Sequence, residues 1–118
     1  MAATFCLLIA LAIGLGAFGQ HALAAHLAAK QMATFGTATD YLLVQSVAGL
    51  VALQWGLRRQ STLLLAGLVL FSGSLLIYLA SGVVAVTFFA PVGGIIMIAA
   101  WLWSAWTLAN TPGLLARR

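Results

Sequence analysis

Two histidines, His21 and His26, a single aspartate, Asp40, and a scatter of hydroxyl and amide side chains are the groups in this 118-residue sequence whose types suggest chemistry. Imidazoles bind metal ions or haem iron, but five residues along a helix turn through about 140°, so His21 and His26 converge on one ion only if the helix breaks between them. An interfacial or packed, hydrogen-bonded role suits each ring better. Proton-coupled transport needs ionisable groups near the middle of a membrane. None is expected there, because Asp40 reads as the start of a helix rather than its centre. The serines lack an accompanying base and acid, so no catalytic residue, metal site or cofactor is expected and the chain does not read as an enzyme. Tyr41, Gln45, Ser72, Ser74 and Tyr78 remain as polar groups that either line a path for a small solute or seal a bundle by hydrogen bonds between helices, and sealing is the simpler reading.

The elements that must position these groups are dictated by composition. The sequence is 64% hydrophobic and 5% charged, with a mean hydropathy of +1.16, which is the composition of a membrane protein. At about 20 residues per crossing, the length holds at most four membrane-spanning helices, and one domain over residues 1–118 is expected. The net charge of +4 arises from Lys30, Arg58, Arg59, Arg117 and Arg118 against Asp40. These charges are too scattered for a nucleic-acid footprint, so no nucleic-acid partner is expected. Cys6 is alone and cannot form an intrachain disulfide.

The predicted helices cover about residues 2–28, 40–58, 62–81 and 87–109, as an antiparallel bundle. In the first, Ala12, Gly16 and Gly19 recur at helical spacing and suit a close helix crossing. Ala22-Leu23-Ala24 resembles a signal-peptide cleavage site, but no basic residue precedes the apolar run, so cleavage is not expected. His21, His26 and Lys30 bring this helix out at the headgroups. Residues 31–39 read as a loop, and Thr37-Ala38-Thr39-Asp40 as a capping box that opens the second helix. Gln45, Gly49, Ala52 and Gly56 share one face of that helix, Trp55 marks its far interface, and Arg58-Arg59-Gln60 reads as a tight turn.

The third helix carries Gly67, Phe71, Ser74, Tyr78 and Ser81 on one stripe and ends at Ser81-Gly82. Residues 83–87 read as a short outer loop or a continuation of either neighbouring helix. Pro91 falls in the first turn of the fourth helix, where its missing N–H costs little, and Gly93, Met97, Ala100, Ser104 and Thr107 form its stripe. Gly73, Gly93 and Gly94 read as places of close helix crossing in preference to a broken-helix ligand site. Trp101, Trp103 and Trp106 crowd the end of this helix, which Asn110-Thr111-Pro112-Gly113 stops. Four crossings put the N-terminus, Arg58-Arg59 and Arg117-Arg118 on one side, which the positive-inside rule makes cytoplasmic.

Four of these stretches carry a resemblance. Gly16-Ala17-Phe18-Gly19-Gln20-His21, Asp40-Tyr41, Phe71-Ser72-Gly73-Ser74-Leu75 and Pro91-Val92-Gly93-Gly94 resemble, in order, the motifs of the small inner-membrane family catalogued as domain of unknown function 423, whose mitochondrial relatives are called transmembrane protein 256. The sequence departs from the family pattern at Gln20, where Ala is usual, at Ala90, where Thr is usual, and at Gln45, where a His is typical. The resemblance implies a four-helix membrane protein, with no established activity attached.

The expected role is therefore a structural or accessory membrane subunit in the bilayer, packing on a second copy or on the helices of a larger complex. The alternative is a channel or carrier for a small neutral or polar solute, lined by Tyr41, Gln45, Ser72 and Ser74. Quinone or haem association at His21 is a weaker third.

Overall fold

A computed structural model describes residues 1–117, apart from the side chains of Gln20 and Arg117. The positions expected of the Arg117 and Arg118 charges therefore lie outside the described groups. The chain is all-α. Helix α1 (Ala2–Phe18) runs into a π-helical turn (Gly19–Leu23), followed by α2 (Ala29–Gln54), α3 (Arg58–Ser81), a 3-10 turn (Val84–Phe88), α4 (Phe89–Asn110) and a last short turn (Leu115–Arg117). Four helical stretches, one from each of α1 to α4, are long and apolar enough to cross a membrane.

Each helix packs on the next in sequence: α1 on α2, α2 on α3 and α3 on α4. Their shared core joins Ala12, Leu42, Leu64, Leu68, Met97 and Ala100, so all four helices contribute. Small residues set how closely the backbones approach. At Gly67 a Cβ would lie 2.8 Å from the Gly93 carbonyl oxygen, and at Gly93 one would lie 2.5 Å from the Gly67 carbonyl oxygen and from the Phe71 nitrogen. Because backbone, and not a flexible side chain, blocks both positions, the α3–α4 crossing requires glycine on each helix. Gly49 serves α1 differently, since a Cβ there would meet the ring of the fully buried Phe5 at 2.5 Å. Gly16 and Gly73, by contrast, face open space, so the crossing expected along Ala12, Gly16 and Gly19 uses only part of that stripe.

Contacts between helix ends fix which ends lie together. Gln60, in the first turn of α3, donates from Nε2 to Thr107 Oγ1 near the end of α4 at 2.9 Å. Thr62 contacts the sulfur of Met1 at 3.8 Å. At the other end, Lys30, Gln31 and Thr34 of α2 share a recess with Tyr78, Val84 and Thr87.

Three boundaries differ from those the sequence predicts. The first helix does not reach residue 28: it ends through the π turn, and the His26 and Leu27 N–H groups both bond to the Leu23 carbonyl. Gly19 lies in that turn with the Phe35 ring against it, in space a side chain would need. The loop expected at 31–39 is helix, because α2 starts at Ala29. Threonines 34, 37 and 39 look like loop formers but donate back to the carbonyls of Lys30, Ala33 and Phe35 at 3.0–3.1 Å, inside the helix. Buried Phe35 and Ala38 anchor this first half.

The capping box expected at Thr37 and Asp40 is accordingly absent. The actual cap is nine residues earlier, where Gln31 Oε1 accepts the Ala28 N–H at 3.0 Å; the Ala28 methyl cannot return the bond. Finally, the tight turn is Trp55-Gly56-Leu57, with Gly56 at φ +79°, and not Arg58-Arg59-Gln60. Arg58 opens α3, and Gln60 is buried within it. Ser81-Gly82 does end α3: Gly82 adopts φ +73° and its N–H bonds to the Tyr78 carbonyl at 2.8 Å.

Candidate functional site

The extension of α2 relocates Asp40. It is the twelfth of the helix's 26 residues, so its carboxyl is not at a helix start and its charge does not serve a helix N-terminus. Its level can be read across the bundle. Ser72 Oγ donates to the Ala38 carbonyl at 2.8 Å, and the Tyr41 and Phe71 rings stack with centroids 4.7 Å apart at 40°. Phe71 and Ser72 lie just past the midpoint of α3, and Asp40 on α2 lies between their partners Ala38 and Tyr41. The expectation that Asp40 starts a helix is thus corrected: its carboxyl lies midway along α2. The described cations Lys30, Arg58 and Arg59 sit at helix ends, and even Lys30 is ten residues, or about 15 Å of helical rise, from Asp40.

Beside Asp40, α2 and α4 stand apart and leave a groove of about 430 Å³. Its walls include Tyr41, Gln45, Phe71, Gly94, Met97 and Trp101. An adjoining recess of about 290 Å³ shares Tyr41 and Gln45 and adds Asp40 and Val44. The i, i+4 spacing of a helix explains the pairing, since Tyr41 lies over Gln45 and Asp40 over Val44. Across the groove, the Trp101 indole N–H donates to Gln45 Oε1 at 2.8 Å, which joins α4 to α2 and fixes the indole. Trp101 therefore belongs to the middle of the bundle and not to the aromatic end formed by the more exposed Trp103 and Trp106. Gly94 leaves the floor open: a Cβ there would meet only the edge of Phe71, at 3.9 Å.

The other polar positions separate from this groove. Ser72 is buried and spent on the Ala38 carbonyl, while Ser74 donates to the Phe71 carbonyl at 2.9 Å and borders a different, apolar recess with Gly73 and Ile77. Tyr78 belongs to the recess with Lys30 at the far end. Pro91 is exposed in the first turn of α4, two residues before the crossing glycine Gly93. His21 lies exposed in the π turn and His26 is exposed beyond it, so the helix does break between them. Among the described residues, no three His, Cys, Asp or Glu side chains gather where a metal ion would be held. Cys6 is exposed on α1.

Two groups escaped the sequence reading. Gln60 reads from the sequence as part of an Arg58-Arg59-Gln60 turn, and Trp101 as one of three tryptophans crowding the end of α4. Their partners are 47 and 56 residues away in the chain, so no local spacing announces either bond. Ser46 is a third case of a different kind, a fully buried serine whose Oγ has no hydrogen-bond partner.

Comparison with known proteins places the chain. It is 36% identical over 101 residues to a UPF0382 membrane protein of Staphylococcus saprophyticus, covering 78% of this chain and 82% of that protein. It is 34% identical over 100 residues to the UPF0382 membrane protein YwdK of Bacillus subtilis, covering 78% and 81%. No solved structure matches it. The family described as "Protein of unknown function (DUF423)" matches residues 15–94, which hold all four motifs that carry the resemblance. With four apolar helices and relatives named as membrane proteins, the chain is an integral membrane protein that belongs to the DUF423 family.

Proposed function

We propose that this protein is a non-catalytic structural or accessory subunit of the bacterial inner membrane, an antiparallel bundle that packs against a second copy or the helices of a larger complex. The observation that carries this reading is how its internal polar groups are used. Ser72 with the Ala38 carbonyl, Gln60 with Thr107 and Trp101 with Gln45 each tie two helices together, and the Gly67–Gly93 crossing locks the backbones of α3 and α4. Groups spent on holding helices in place suit a fixed packing unit better than a moving one.

The outward faces supply the surface for packing. Leu7 on α1 and a row of Ile95, Ile98, Leu102 and Trp106 on α4 are each more than 60% exposed. Such rows suit lipid or partner helices equally, so the assembly is decided by measurement. The positive-inside rule, with Arg58 and Arg59 at one end beside Met1 and Lys30 at the other, supports cytoplasmic termini. Native mass spectrometry after extraction in mild detergent tests the proposal. A homo-oligomer or a defined complex with another membrane protein is expected, and a strictly monomeric species without a co-purifying protein would overturn it.

One observation favours a second reading, a carrier for a small polar solute: Asp40, Tyr41 and Gln45 line adjoining recesses halfway along the bundle. Liposome flux separates the two readings, because a carrier moves solute as a purified chain and a packing subunit does not.

A further inference from the structure

We infer that the groove between α2 and α4 is a binding site for a lipophilic organic cation, with Asp40 as the counter-charge and the rings of Tyr41, Phe71 and Trp101 as its walls. The inference goes beyond the packing role and shares only its location with the carrier reading, since it requires binding and not flux.

Four observations lead to this ligand class. The first is volume: about 430 Å³, with the smaller Asp40 recess beside it, is the size of a small-molecule site. The second is charge. Asp40 is the one acidic side chain in the sequence, it is exposed in the smaller recess that shares Tyr41 and Gln45 with the groove, and the described cations lie at the helix ends. A carboxyl at mid-depth in a membrane is costly unless something of opposite charge or a hydrogen-bond donor meets it. An anionic ligand would worsen that cost.

The third observation is the wall chemistry. Tyr41 and Phe71 stack with centroids 4.7 Å apart, and Trp101 is pinned by its N–H to Gln45, so the aromatic surface is ordered before any ligand arrives. Aromatic faces attract cations, most strongly where water is excluded. The fourth concerns the kind of cation. A hard metal ion takes several oxygen ligands, and a single carboxyl in an aromatic groove does not supply them. A bulky organic cation needs one counter-charge and apolar walls, which are the features present. Met97, Ile98 and Leu102 extend the groove as apolar surface for the rest of such a molecule.

The test uses the full chain in nanodiscs, with tetraphenylphosphonium as the probe, binding followed by calorimetry and corrected for empty nanodiscs. Saturable binding is expected, weakened about tenfold or more in Asp40→Asn and largely retained in Asp40→Glu, a loss in line with one cation contact. Trp101→Ala should also weaken it severalfold. Neutral triphenylphosphine oxide should bind the wild type at least about tenfold less well than the cation. Circular dichroism and gel filtration check that each variant is folded, and Asp40→Glu with the neutral compound carries the test if Asp40→Asn is not. The inference is overturned if the wild type shows no saturable binding, if Asp40→Asn binds as tightly as the wild type, or if the neutral compound binds as tightly as the cation. Any of these results leaves the packing proposal standing, because that proposal is read from native mass.

Discussion

Helix α4 meets its two neighbours in opposite ways. Against α3 it comes so close at Gly67 and Gly93 that backbone touches backbone, and no side chain fits between. Against α2, a few residues further along, it stands off by the width of a groove bridged by one bond from Trp101 to Gln45. The adjacent glycines 93 and 94 mark the change, the first in the crossing and the second on the groove floor. The same helix thus supplies a sealed seam on one side and an open, aromatic, partly polar site on the other.

The contrast is broken most sharply by alanine at the two glycines. Gly93→Ala places a methyl 2.5 Å from backbone atoms of α3, so the helices must separate, and a loss of about 1–3 kcal/mol or more is expected in thermal or denaturant unfolding in detergent. Gly94→Ala adds the same methyl at ordinary contact distance from Phe71 and should change stability by less than about 0.5 kcal/mol. Equal losses at the two positions would erase the distinction between seam and groove.

A smaller effect is expected from the bridge. Trp101→Phe keeps a ring in the groove and removes the donor to Gln45, at a cost of about 0.6 kcal/mol and at most about 1.7, the average and maximum found for hydrogen bonds between membrane helices. A double-mutant cycle with Gln45→Leu should show coupling of that size between the two positions, and additive losses would mean the bond contributes nothing.

Two buried serines that differ in one respect give a further contrast. Ser72 donates to Ala38 across α2 and α3, whereas Ser46 Oγ has no partner. Ser72→Ala should lose about 1 kcal/mol, and Ser46→Ala should lose nothing or gain slightly, since an unpaired buried hydroxyl carries its desolvation cost without return. Unfolding midpoints of the two variants check the order.

The seam was legible in the sequence and the groove was not, for physical reasons. Gly93, Met97, Ala100 and Ser104 recur at helical spacing and are all buried, as a stripe that packs against a neighbour should be. The end of α3 was legible too, because Ser81-Gly82 gives a positive φ to the one residue type that adopts it freely. The start of α2 was hidden by Thr34, Gly36, Thr37 and Thr39, whose composition says loop while the threonine hydroxyls are satisfied inside a helix. What decides for helix is the burial of Phe35 and Ala38, a tertiary fact. Asp40 therefore reads from composition as a helix start, although it lies midway along α2. Of the candidate lining residues, Tyr41 and Gln45 do share the groove, while Ser72 and Ser74 turn to backbone carbonyls, because a hydroxyl on a helix finds an acceptor more cheaply than it faces an apolar space.

Spin-label accessibility measures directly whether α2 crosses the membrane as one helix with Asp40 near its middle. In a Cys6→Ala background, nitroxides are placed at Asp40, Lys30 and Leu102 in turn and their collisions with oxygen and with a water-soluble nickel chelate are compared in liposomes. The label at position 40 is expected to collide with oxygen far more than with nickel, like the one at 102 and unlike the one at 30. A label at 40 as open to nickel as the one at 30 would place Asp40 at the membrane surface and rule out a single crossing helix centred on it.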